Sequence, residues 1–149
     1  TGRIIDGAGA PLKDAMIEIW QADAVGLYNS PTETRGTADP AFAGWGRQAA
    51  DPETGIWSFE TIKPGPVPAP DGRMQAPHVN VWIVARGINI GLNTRIYFPE
   101  EAEANECDPA LSRIDPRERI QTLIASREGT VLTLDIHLQG ENETVFFDV

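Results

Sequence analysis

Between Ile62 and Met74 the chain carries four prolines and two glycines in thirteen residues, which excludes regular helix from the middle of the sequence. Proline has no backbone N–H and fixes φ, so this segment is expected to follow an irregular surface path. Immediately after it comes the most apolar stretch, His78–Arg86. Its period-two alternation reads as a strand, with Val79, Val81, Ile83 and Ala85 on one face and His78, Asn80, Trp82, Val84 and Arg86 on the other. A His-x-His pair opening such a strand would aim two imidazoles at one point and suit a metal ion. Here the pair is His78-x-Asn80, so a site at this junction lacks one of its parts.

The rest of the chain is organised as strands and turns around that junction. GRIIDGAGAPLKDAMIEIW opens as two short strands about a turn at Asp6-Gly7 and Gly9, either a hairpin or a crossover. Residues Gln21–Phe42 are dominated by turn formers and predict a long ordered loop, which in a compact domain needs a functional or packing reason. Further strands are expected at IWSFETIK, LNTRIYF (with Asn93, Arg95 and Tyr97 on one face), TVLTLDIHL and ETVFFDV. In the third of these segments, Leu132, Leu134, Ile136 and Leu138 would be buried. PEEAEAN reads as a short helical turn, and Asp115-Pro116-Arg117-Glu118 as a helix start with Asp as N-cap, Pro at the first helical position and Glu closing a capping box. Ile120, Leu123 and Ile124 would then face inward. About seven short strands with one or two short helices predict an all-β fold, a β-sandwich.

At 149 residues the chain fits a single domain, 1–149, able to bury a substantial core. It opens at Thr1 directly inside a strand-like segment, so upstream residues are expected in the full protein. No apolar run is long enough to cross a bilayer. A net charge of −10 repels nucleic acid and anionic membranes, so an anionic ligand would have to be held by local arginines. The single cysteine, Cys107, forms no internal disulfide and fits a reducing cytoplasm, with the thiol at or near the surface.

The inventory of reactive groups is small. His78 and His137 are the only histidines, and Tyr28 and Tyr97 the only phenols. His137, beside Asp135 on the polar side of a strand, reads as solvated or paired across strands, and His78 is the stronger candidate ligand. Glu100, Glu101, Glu103 and Glu106 form a solvated acidic face. There is no nucleophile elbow, phosphate loop or dinucleotide fingerprint. Among the central arginines, Arg73 and Arg95 are expected to pair with acidic residues, while Arg86 is as well suited to holding an aromatic acid through its carboxylate.

Seven strings together are specific: IEIWQAD-x-x-G-x-Y (Ile17–Tyr28), DPAFAGWGR (Asp39–Arg47), TIKPGPVP (Thr61–Pro68), APHVN (Ala76–Asn80), ARGIN (Ala85–Asn89), RIYF (Arg95–Phe98) and GENETVFFDV (Gly140–Val149). In this order they resemble the intradiol ring-cleavage dioxygenases over essentially the whole chain. The resemblance implies a β-sandwich with mixed sheets, related in outline to transthyretin. It also implies, for the family's catalytic chains, a non-haem Fe(III) ion held by two tyrosinates and two histidines, hard anionic donors suited to that ion.

Carried over position by position, those ligands fall on Thr34, Val67, His78 and Asn80, of which only His78 is a ligand type. The arginine that catalytic chains place just before the first histidine is Gln75 here, and their glutamine in the next strand is Arg95. The resemblance therefore implies a non-catalytic alpha-type chain with a vestigial metal site, inactive alone. It would partner a homologous catalytic beta chain that holds the iron, in a hetero-oligomer of several such pairs that opens protocatechuate with O2. Arg86, in Ala-Arg-Gly-Ile-Asn, matches the arginine that reaches toward the neighbour's substrate pocket. Two rival readings are a self-sufficient iron enzyme using His78, Tyr28 and a carboxylate, and a transthyretin-like binding module.

Overall fold

The computed structural model describes residues 1–148; Val149, the last residue of the expected C-terminal strand, lies outside them. The strands are β1 (Gly2–Ile5), β2 (Met16–Trp20), β3 (Trp45–Ala49), β4 (Ile56–Trp57), β5 (Val67–Pro68), β6 (Met74–Gln75), β7 (His78–Val84), β8 (Leu92–Tyr97), β9 (Ser126–Glu128), β10 (Val131–Thr133) and β11 (Ile136–His137). A four-stranded antiparallel sheet has the order β3-β2-β7-β8, and a mixed three-stranded sheet the order β11-β1-β4 with β1 parallel to β11. Strands β1 and β2 thus belong to different sheets, and the opening is a crossover.

The alternation seen in the sequence decides which faces meet. Ile17 and Ile19 of β2 and Val79, Val81 and Ile83 of β7 are buried together with Ile4, Trp57, Leu134 and Ile136 of the mixed-sheet layer. Each such side chain contributes about 1.5–3 kcal/mol on burial, so this shared core holds the sandwich closed. A second apolar cluster, Ala76, Tyr97, Leu111, Ile114, Leu123 and Val145, caps the end of the sheet where β7 begins.

Three local expectations are revised. The Pro-rich segment is not wholly irregular, because β5 and β6 pair as a small hairpin with Val67 opposite Gln75. At the second helical segment Pro116 stands outside the helix at φ −69° and ψ 152°, a 3₁₀ helix runs from Arg117 to Leu123, and no side chain caps it. With proline extended at the cap position, Asp115 is one residue too far away to close a capping box. TVLTLDIHL divides into β10 and β11, and the residues from Glu143 to Asp148 pair irregularly instead of as a strand, through Thr144 N–H to the His137 carbonyl and Phe147 N–H to that of Asn93. The helical turn at PEEAEAN is present, as 3₁₀ over Pro99–Glu101 and then α1 (Ala102–Cys107).

Candidate functional site

Two loops converge on the start of β7. In the long loop after β2, the buried carboxylate of Asp23 accepts from the backbone N–H groups of Val25, Leu27 and Asp39 at 3.1, 2.9 and 2.9 Å. Glycine is required where this loop meets the Pro-rich one: Gly26 sits at φ +87°, and a Cβ there would lie 2.2 Å from the Pro66 carbonyl oxygen. The contact is fixed by Gly65 N–H donating to the Asp23 carbonyl at 2.8 Å. Thr34 lies exposed in the same loop, between Glu33 and Arg35, which pair with one another.

His78 opens β7 and is 3% exposed. Its Nδ1 lies 2.8 Å from the Ala76 carbonyl, which fixes Nδ1 as the protonated nitrogen, and its ring stands 5.6 Å from that of Tyr97, its partner across β8. Beneath both, Asp108 is fully buried. Its Oδ2 accepts from Ala76 N–H at 2.8 Å, and its Oδ1 from the N–H groups of Ala110 and Leu111 at 2.8 and 2.9 Å. Arg95 Nη1 donates to Gln75 Oε1 at 2.8 Å and lies 3.2 Å from the Tyr97 hydroxyl. The expectation that Arg95 pairs with a carboxylate is therefore corrected: its partners are neutral, whereas Arg73 does pair, with Asp71.

Burial, with the Arg95 charge adding to it, depresses the His78 pKa from 6.5 to about 4, so the imidazole is neutral in the folded chain. The unfolded chain takes up this proton near pH 6.5 and the folded chain only near 4, so stability is lost as pH falls through that window. The loss is on the order of 3 kcal/mol. Urea midpoints between pH 7.5 and 4 should fall more steeply for the natural chain than for His78→Gln. Parallel curves would show that His78 is not buried neutral.

These residues do not fit a ferric ion. Val67 is buried and apolar, and Thr34 is an exposed alcohol. Asn80 donates its amide to the Trp20 carbonyl at 3.1 Å, and a guanidinium stands beside His78. Tyr28 packs its ring 4.9 Å from that of Trp20, and burial pushes its phenol above the usual range, away from the phenolate that Fe(III) binds. Among the described residues no three His, Cys, Asp or Glu side chains are grouped to hold a metal.

The remaining candidates lie elsewhere. Arg86 follows the end of β7, about 20 Å of strand away from His78, with its side chain 89% exposed and Nε 3.0 Å from Asp14 Oδ2. Cys107 is exposed, and His137 sits in β11.

Comparison with known proteins decides the family. A family model described as "Dioxygenase" matches residues 1–145. The chain is 44% identical to the protocatechuate 3,4-dioxygenase alpha chain of Pseudomonas putida over 99% of its own length and 73% of that protein's. The chain belongs to the intradiol dioxygenase family. It is also 34% identical to the protocatechuate 3,4-dioxygenase beta chain of Burkholderia cepacia, over 97% of its length and 65% of that protein's. An intradiol ring-cleavage dioxygenase from Tetranychus urticae has the same fold, with a TM-score of 0.65 at 20% identity over 91% of this chain and 77% of that one. Within an intradiol dioxygenase fold, His78 stands near two charged groups, Arg95, which is held by Gln75, and Asp108, which is held by three backbone N–H groups. Gln75 and Arg95 both stand out in the sequence while their contact does not, and Asp108 is signalled there only by the Asp108-Pro109 step, a turn-forming dipeptide directly after a helix.

Proposed function

We propose that this chain is a non-catalytic, alpha-type subunit of a protocatechuate 3,4-dioxygenase. In this reading it supports the O2-dependent opening of protocatechuate to 3-carboxy-cis,cis-muconate at an Fe(III) ion carried by a homologous beta chain, in a cytoplasmic hetero-oligomer of such pairs. The observation that carries the proposal is the ligand set: of the four positions expected to bind iron only His78 remains a ligand type, and it is buried under Tyr97 with Arg95 close by. The higher identity to an alpha chain than to a beta chain supports the same assignment. Neither rival gains support. Tyr28 is packed against Trp20, and the similarity to dioxygenase chains spans nearly the whole length. No described helix is long and apolar enough to cross a membrane.

Arg86 is the residue through which this chain would act on the reaction. Its guanidinium extends from the turn after β7 and, among the described residues, pairs only with the exposed Asp14, so that it can reach a neighbour's pocket and meet the carboxylate of the substrate. A charge-assisted hydrogen bond of that kind corresponds to about a tenfold or larger change in affinity. Arg86→Ala in the assembled enzyme is therefore expected to raise KM about tenfold or lower turnover, at unchanged iron content, with Arg86→Lys recovering part of the loss. Unchanged kinetics would remove Arg86 from the substrate site.

A further inference from the structure

Beyond the shared core the two layers part at one end. A groove of about 590 Å³ opens there, with Val79, Ile96 and Phe98 on one wall and Trp57, Phe59 and Leu134 on the other. Val79, Phe98, Trp57 and Leu134 are themselves buried members of the core, so water entering this groove would wet the surfaces that hold the sandwich together. The mouth must stay shut for the core to stay dry.

Two segments border that mouth, and neither belongs to the two larger sheets. One is the run between β4 and β5, which contains Lys63; the other is the β9–β10 hairpin, a two-stranded sheet of its own, which contains Arg127. The turn at Pro99–Glu101 joins them. Lys63 pairs with Glu101, stands with its Nζ 3.3 Å from Glu100 Oε1 and lies 5.5 Å from the centre of the Phe98 ring. Arg127 grips Glu100 from the other side with two hydrogen bonds, Nε to Oε2 at 3.1 Å and Nη2 to Oε1 at 2.6 Å. Glu100 is therefore shared by one cation from each segment. Two of the four acids expected on a solvated face, Glu100 and Glu101, are engaged in this way. The four side chains are between 31% and 37% exposed, so dissolved ions reach them. Single pairs of this exposure are weak, whereas a network built on a shared carboxylate loses several contacts at once.

We propose that Lys63, Glu100, Glu101 and Arg127 form a salt-sensitive clasp, which holds the Lys63 segment and the β9–β10 hairpin closed over the open end of the sandwich. Raised salt screens the pairs and frees both segments together. Opening also lets water meet the indole N–H of Trp57, which is buried without a hydrogen-bond partner among the described residues, and this offsets part of the cost of wetting the apolar walls. The clasp is a property of the fold and does not depend on the alpha-subunit reading.

The test uses the intact protein, with any partner chain that co-purifies, and follows hydrogen–deuterium exchange of segments 58–66 and 126–133 in about 50 mM and about 500 mM NaCl. Both segments are expected to exchange about threefold or more faster at the higher salt, while residues 79–83 of β7 exchange at an unchanged rate. Glu100→Gln should give the fast exchange of both segments already at low salt and abolish the salt response. Lys63→Gln should free the first segment alone, and Arg127→Gln the second alone. Anilinonaphthalene sulfonate, which fluoresces on apolar surface, should bind the natural protein at high salt and Glu100→Gln at either salt. Exchange that ignores salt, slow exchange in Glu100→Gln, or faster exchange that extends into 79–83 would overturn the proposal, and so would loosening of the segments without dye binding. Failure of the subunit assignment would show in chain composition and iron content instead.

Discussion

Replacing Asp108 with Ala is expected to lower the unfolding free energy by about 3–5 kcal/mol, a large share of the 5–15 kcal/mol that a domain of this size has to spare. The carboxylate is fully buried and is the acceptor for three backbone N–H groups, of Ala76, Ala110 and Leu111. Truncation leaves all three without this partner, those of Ala76 and Leu111 in the buried interior and that of Ala110 half-buried, and each orphaned buried donor costs about 1–3 kcal/mol. It also unties the residue before Pro77 from the segment that covers Tyr97, so the start of β7 loses its anchor. Asp108→Asn should fall in between. The amide oxygen keeps the bonds to Ala110 and Leu111, but its NH₂ meets the Ala76 N–H donor to donor. Urea unfolding at constant m-value reads the difference. A loss below about 1 kcal/mol for the Ala variant would mean that the three donors find other partners, and that Asp108 does not hold this end of the sheet.

The second large effect is a gain. Thr34→Tyr, Val67→Tyr and Asn80→His together restore the ligand types that the family resemblance assigns to these positions. On its own this triple change is expected to bind iron weakly, because Arg95 places a fixed positive charge beside His78. Adding Arg95→Gln should raise iron affinity at least tenfold further, since a neutral neighbour no longer opposes a cation, and should bring a visible tyrosinate-to-iron absorption band. Val67 is 3% exposed and tyrosine is larger, so a stability loss of about 1–3 kcal/mol from overpacking is expected alongside. If the fourfold variant folds and takes up no more iron than the natural chain, these positions are not the remnant of a metal site.

How much of this was legible in the sequence follows from which forces act locally. The face pattern of β7 was legible because period-two alternation is a property of neighbouring residues; Val79, Val81 and Ile83 are buried as that pattern requires. The pairing of Asn93, Arg95 and Tyr97 on one face of β8 followed from the same rule. The helix start at Asp115 was not legible, since a capping box requires Pro116 to enter the helix, and Pro116 stands extended instead at the cap position. The division of TVLTLDIHL into β10 and β11 has a similar origin, because the two pieces pair with different partners, β9 and β1. At the candidate site the residue types were readable and the contacts were not. The chain carries 22 acidic residues, so composition favoured a carboxylate partner for Arg95, while the register that sets Gln75 within its reach is fixed by the small β5–β6 hairpin, whose two-residue strands carry little sequence signal. Asp108 went unnoticed because its three donors come from two separate segments of chain, one of them more than thirty residues upstream.

If this chain is the non-catalytic subunit, the reaction's iron belongs to another chain. The most direct test is native mass spectrometry of the purified assembly together with iron quantification. The result expected is this chain in equal copies with a second, homologous chain, with one iron per pair that follows the second chain when the two are separated. Iron and ring-cleaving activity in this chain purified alone, or two irons per pair, would contradict it.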